Sequence, residues 1–157
     1  MTADFKSLRL RFLFAALLWV SLATVIAGGF ISSLYRWHTT EQYRADLTGH
    51  LKELAILTEI GPNGRPKLQR PMSDPRFRES GSGFYWQIEE PGRTRVTSTT
   101  LGNATLQGKF ATRAEPQSGW NVGPTGQVLE LGVTRPVAGM SSPLHYTIAI
   151  DRRLIET

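Results

Sequence analysis

Residues 12–35, FLFAALLWVSLATVIAGGFISSLY, run for 24 positions without a charge, and 18 of them are apolar. A helix of that length reaches about 36 Å, enough to cross a hydrocarbon core of about 30 Å with some tilt, while satisfying its own backbone polar groups. A simple water-soluble domain is thereby excluded. Lys6, Arg9 and Arg11 crowd just before the run, whereas the far side opens with the mixed set Arg36, His38, Glu41 and Arg44. That asymmetry predicts a cytoplasmic N-terminus and export of residues 36–157. Tyr35 and Trp37 stand where an outer aromatic belt belongs; Trp19 is too deep for one. A cleaved signal would place a processing site at Ala27, Gly28 and Gly29, but its apolar region is usually about 7 to 15 residues. Here the apolar face continues through Phe30, Ile31 and Leu34, so the segment reads as an uncleaved anchor.

Small residues recur four apart within the span, as Ala23 with Ala27, Gly28 with Ser32 and Gly29 with Ser33. Such spacing lets two membrane helices approach closely in a homodimer, although Gly, Ala and Ser are also common in membrane helices generally. Residues 36–157 carry 15 Lys and Arg against 12 Asp and Glu. This modest excess suits either contact with an anionic membrane surface or plain solvation, and without a clustered basic stripe nucleic acid is not expected as a partner. The chain has no cysteine, so the exported part must be held by its own core rather than by disulfides.

All nine prolines lie at or after Pro62. Before that point Tyr43, Leu47, Leu51, Leu54 and Leu57 form a helical stripe, with Gly61 and Pro62 as its stop signal. The membrane helix is therefore expected to continue into a long amphipathic helix ending near residue 60. Strand signals follow. Gly83-Phe84-Tyr85-Trp86-Gln87-Ile88 closes at Glu89-Glu90-Pro91-Gly92, and residues 93–100 continue with Val96 and a Thr-rich run, which reads as a hairpin. A second pair is expected at residues 127–134 and 144–150, each alternating apolar and polar. Residues 102–122 read as loop, with a short strand considered near residues 109–112. Asp151 then caps what looks like the first turn of a helix. The sum is an α+β chain: a transmembrane helix, a long amphipathic helix, and a PAS-like antiparallel sheet packed against it. Its divisions are a tail at 1–11, the membrane helix at 12–35, a sensor-like domain at 36–150, and a helix start at 151–157.

The residues offer little for catalysis. His38, His50 and His145 are scattered, there is no His-x-x-x-His or paired acidic motif, and Gly81-Ser82-Gly83 lacks the lysine of a phosphate loop. No catalytic, metal or cofactor residue is assigned. The densest group is Ser73-Asp74-Pro75-Arg76-Phe77 before the Tyr85-Trp86 strand, with a further aromatic at Trp120. Arg76, or Arg78, with Tyr85, Trp86 and Trp120 could wall a pocket for a small anionic or apolar ligand, or the same aromatics could be ordinary core.

Several of these pieces together resemble the N-terminal sensor region of bacterial two-component sensor histidine kinases. They are Ser7-Leu8-Arg9-Leu10-Arg11-Phe12-Leu13 leading into the span, the helix around Leu47 and Leu57, Ser73-Asp74-Pro75-Arg76-Phe77, Ser82-Gly83-Phe84-Tyr85-Trp86-Gln87-Ile88, and Ile150-Asp151-Arg152. The resemblance covers nearly the whole chain. Where relatives often carry a Ser-Arg-Ser-Leu-Trp-type segment, this chain has Thr97-Ser98-Thr99-Thr100-Leu101-Gly102. The resemblance implies an inner-membrane protein with a periplasmic sensor that signals as a homodimer. It also implies a second span after residue 157, then a kinase core that binds ATP and passes phosphate to a response regulator. None of that core lies in this sequence, and no histidine here has a phosphoacceptor context. A single-pass, membrane-anchored binding or scaffold protein of the envelope is the other reading.

Overall fold

The computed structural model describes residues 4–92 and 95–156, with side chains described for residues 8–33, 42–92 and 95–156. Two compact units are distinguished, Met1–Thr40 and Glu41–Thr157. Helix α1 (Asp4–Leu57) contributes to both.

In the first unit, Leu8–Ser33 forms a helical stretch of 26 residues with mean hydropathy 2.1, long and apolar enough to cross a membrane. Every side chain from 8 to 33 is exposed, the reverse of a soluble core helix. The Thr24 hydroxyl donates to the Val20 carbonyl at 2.8 Å, so that polar group is satisfied within the helix itself. Gly28, Gly29, Ser32 and Ser33 are exposed, and a Cβ at either glycine would meet nothing within 4 Å. The side chains of Tyr35, Arg36, Trp37, His38 and Glu41, on which the outer boundary was argued, lie outside the described residues.

The second unit is built on the leucine stripe. Leu47, Leu51, Leu54 and Leu57 are each at most 4 % exposed and pack in one cluster with residues of the sheet. The helix stops at Leu57 rather than near 60. Thr58 and Ile60 are β-branched, and the chain turns there into a hairpin of β1 (Thr58–Ile60) and β2 (Pro66–Leu68), paired Thr58↔Leu68 and Ile60↔Pro66. The Gly61 amide donates to the Arg65 carbonyl at 2.9 Å and Gly64 has φ +73°, so the glycines serve this turn and not a helix cap.

The main sheet contains β3 (Phe84–Glu89), β4 (Arg95–Thr97), β5 (Gln117–Gly123), β6 (Gly126–Arg135) and β7 (Leu144–Asp151), all antiparallel in the order β4-β3-β7-β6-β5. The α+β expectation and the strands at 127–134 and 144–150 hold. Two others are corrected. The strand expected over 93–100 is confined to Arg95–Thr97, with a 3-10 turn at Thr99–Leu101; Arg93 and Thr94 lie outside the described residues. Residues 102–122, expected as loop, supply β5, a full edge strand, whereas residues 109–112 form turns.

The pleat gives the sheet two unlike faces. One meets α1 through Phe84, Trp86, Ile88, Leu129, Leu131, Val133, Tyr146, Ile148 and Ile150. On the other, Tyr85, Val128 and Ala149 pack with Leu101 and Leu106, and the intervening segment from Gly102 to Pro116 docks across it. Helix α2 (Arg152–Ile155) leaves the end of β7, capped as the sequence indicated by Asp151, which accepts from the Arg153 amide at 3.0 Å.

Candidate functional site

The Asp-Pro-Arg-Phe segment is the first part of the site. Asp74 caps the 3-10 turn Pro75–Phe77 by accepting from the Arg76 amide at 2.9 Å, with Pro75 fixing the first position. Its carboxylate also takes the Arg76 Nε at 2.8 Å, and the same guanidinium lies 4.1 Å from the centre of the Phe84 ring. The Arg76 pair holds Asp74 below the usual carboxylate range. Arg76 is thus committed to the fold. Phe77 is buried edge-on between His50 and Phe84, at ring separations of 5.2 and 5.5 Å. His50 of α1 has Asp46, Glu53 and Asp74 each at 3.6 Å, and Glu53 accepts from the Ser73 amide at 2.8 Å. This acidic ring ties the segment to α1. Among the described residues, no three His, Cys, Asp or Glu side chains converge as a metal site.

Beyond that anchor the segment opens into a cleft of about 410 Å³. Met72, Phe77, Trp86 and Val96 supply its apolar walls, and Arg70 and Arg78 stand in its lining. Trp86, among the lining residues, is 8 % exposed. Arg70 donates only to the Ser73 hydroxyl, at 3.3 Å, and the Arg78 side chain has no ion pair or hydrogen bond among the described residues. Lys67 also lines the cleft but is paired with Glu59 at 2.8 Å. No Asp or Glu is among the described lining residues. Apolar walls with unpaired guanidinium charge form a receptor for an anion carrying an apolar body.

The sensing surface expected from Arg76, Tyr85, Trp86 and Trp120 does not converge. Trp86 lies in the cleft, and it is Arg78 rather than Arg76 that shares it. Tyr85, the next residue in β3, necessarily points to the opposite face; it is 2 % exposed and its hydroxyl bonds Thr125 at 3.1 Å. Trp120 is on β5, the far edge strand, 43 % exposed with the Arg152 guanidinium 5.6 Å from its ring centre. The 67–72 stretch carries no spacing signal of its own: the hairpin that presents it begins inside the residues up to 60 whose sequence suggests a helix end.

The opposite face holds a second unusual group. Glu130 is fully buried, with Asn121 Nδ2 donating to one carboxyl oxygen at 2.8 Å and the other oxygen lacking a hydrogen-bond partner. Burial pushes its pKa up, outweighing the opposing effects of Asn121, the nearby Phe110 and Lys109 amides, and the Lys109 charge. A raised folded-state pKa means that the folded chain keeps a proton which the unfolded chain releases above about 4.5. Glu130's stabilisation is therefore complete below that value and is lost as pH rises through the folded pKa. Thermal unfolding from about pH 5 to pH 7 should show wild type losing stability relative to Glu130→Gln. Parallel profiles for the two would contradict this assignment.

Comparison with protein-family models, curated proteins and solved structures found no match to this chain.

Proposed function

We propose that this chain is the membrane anchor and extracytoplasmic signal-sensing module of a two-component sensor histidine kinase. In this reading the uncharged run 12–35 of α1 crosses the inner membrane, with residues 1–11 in the cytoplasm, and the second unit is a PAS-like periplasmic sensor acting as a homodimer. Exposed Gly28, Ser32, Gly29 and Ser33 are the candidate contact between two membrane helices. A kinase core downstream would supply the phosphoacceptor histidine, the ATP site and the docking surface for a response regulator.

The observation that carries the reading is the sheet order. The first strand of the main sheet pairs with the last, β3 with β7, and a helix of the same polypeptide that bears the membrane segment packs on one face through its leucines. A sensor needs such a connection, because a ligand alters signalling only by stabilising one arrangement over another in an element continuous with the membrane. The chain also leaves the sheet directly from β7 into α2, so input and exit share the central strands.

The test is the coding sequence beyond codon 157. The reading expects an apolar span of about 20 residues and then a helix bearing a phosphoacceptor histidine. A stop codon at that point would remove the kinase and favour a single-pass envelope binding or scaffold module.

A further inference from the structure

We propose that the cleft beside β4 binds a single-headed anionic amphiphile, a carboxylate or phosphate on a short hydrocarbon body. The Arg70 and Arg78 guanidiniums take the head, and Met72, Phe77, Trp86 and Val96 take the body. The ligand class deepens the sensor reading and rests on it for its biological purpose.

The chemistry narrows the class from both sides. The cleft, about 410 Å³, is within the size range of small-molecule sites, and its walls gain by covering apolar surface. Inorganic phosphate would leave those walls wet. A neutral alcohol would fill them but leave two cations without a counter-charge. Other cations nearby are already committed, Arg76 to Asp74 and Lys67 to Glu59, which leaves Arg70 and Arg78 as the pair available to an incoming anion. No described carboxylate lines the cleft to compete for them. A planar guanidinium matches both oxygens of a carboxylate or phosphate, so two of them select the anionic head by geometry as well as charge.

The experiment is calorimetric titration of the full chain in zwitterionic nanodiscs, with empty nanodiscs subtracted. Octanoate, octyl phosphate, octanol and inorganic phosphate are the probes. Octanoate and octyl phosphate should bind at least about tenfold more tightly than octanol or inorganic phosphate. Because Arg70 and Arg78 are exposed, Arg70→Gln and Arg78→Gln should leave thermal stability unchanged. The double variant should bind octanoate no better than octanol. Equal binding of octanoate and octanol by wild type, an undiminished preference in the double variant, or no heat above empty nanodiscs would each overturn the proposal. Binding with a stop codon after Thr157 keeps the ligand and removes the kinase; a kinase core without binding keeps the sensor and removes this ligand class.

Discussion

Gly132→Val is expected to destabilise the second unit by about 3 kcal/mol and to release the segment around Phe110 from the sheet. A Cβ at position 132 would sit 2.4 Å from the Ala111 nitrogen, 2.6 Å from the Phe110 carbonyl carbon and 2.7 Å from the Ala111 Cα. All three are backbone atoms, which cannot rotate away as a side chain end can. The segment they belong to is otherwise well held. Thr134 bonds it twice, its amide donating to Arg113 and its hydroxyl to Ala111, both at 2.7 Å. Gln87 meets Leu106 with both ends of its amide, accepting at 2.9 Å and donating at 3.1 Å. The valine must therefore displace a segment whose buried polar partners would be left unpaired. Denaturant unfolding with limited proteolysis reads both effects, with the new cut between residues 104 and 116. Gly49→Ala is the control in the opposite direction. Its Cβ position is open within α1, so replacement should stabilise by about 0.5–1 kcal/mol.

Asp151→Ala should cost about 2–3 kcal/mol at neutral pH, because one buried carboxylate joins β7, α2 and the β5–β6 turn. The Arg153 Nη2 donates to it at 2.7 Å, the Arg153 amide at 3.0 Å, and the Thr125 hydroxyl also donates to it. Arg153 above all, with Thr125 assisting, lowers its pKa from 3.8 to about 2, worth about 2 kcal/mol by linkage. A depressed carboxyl pKa contributes stability above about 3.8 that is lost as pH falls through about 2. The gap between wild type and variant should accordingly close over that interval in acid unfolding. A gap independent of pH would mean that the cap hydrogen bond alone carries the effect. The neighbouring Asp151 amide also clasps the Gly83 carbonyl at 2.8 Å. Gly83, at φ +80° and with a Cβ position 2.8 Å from Leu154, is thus a close-contact point between the start of β3 and the exit helix rather than a free hinge.

The leucine stripe, the existence of the strands at 127–134 and 144–150 and the Asp151 cap are legible from local spacing, but the one-sided burial expected of those strands is not observed: β6 and β7 are buried on both faces, because the segment from Gly102 to Pro116 covers the second. The missed elements share a different cause. Strand β5 reads Gln-Ser-Gly-Trp-Asn-Val-Gly, without alternation, and takes its form from seven paired positions with β6. Its Gly119 and Gly132 of the neighbouring β6 were the available signal, since glycine inside a strand marks close approach of another chain segment. Phe110 fills that space, its ring 2.3 Å from where a Cβ of Gly119 would be. At the candidate site, grouping Tyr85 with Trp86 overlooked the pleat, which sends adjacent strand residues to opposite faces. Arg78 and Trp86 line the same cleft, a tertiary outcome no spacing rule supplies.

Placement of the second unit outside the membrane is the claim on which sensing depends, and the absence of native cysteine makes it directly measurable. Ser80, exposed in the turn before β3, and Thr2 are each replaced by cysteine and treated in intact spheroplasts with a membrane-impermeant maleimide. Labelling of Ser80→Cys at once, and of Thr2→Cys only after permeabilisation, is the predicted result. Protection of Ser80→Cys until the membrane is opened, with Thr2→Cys labelled from outside, would contradict it.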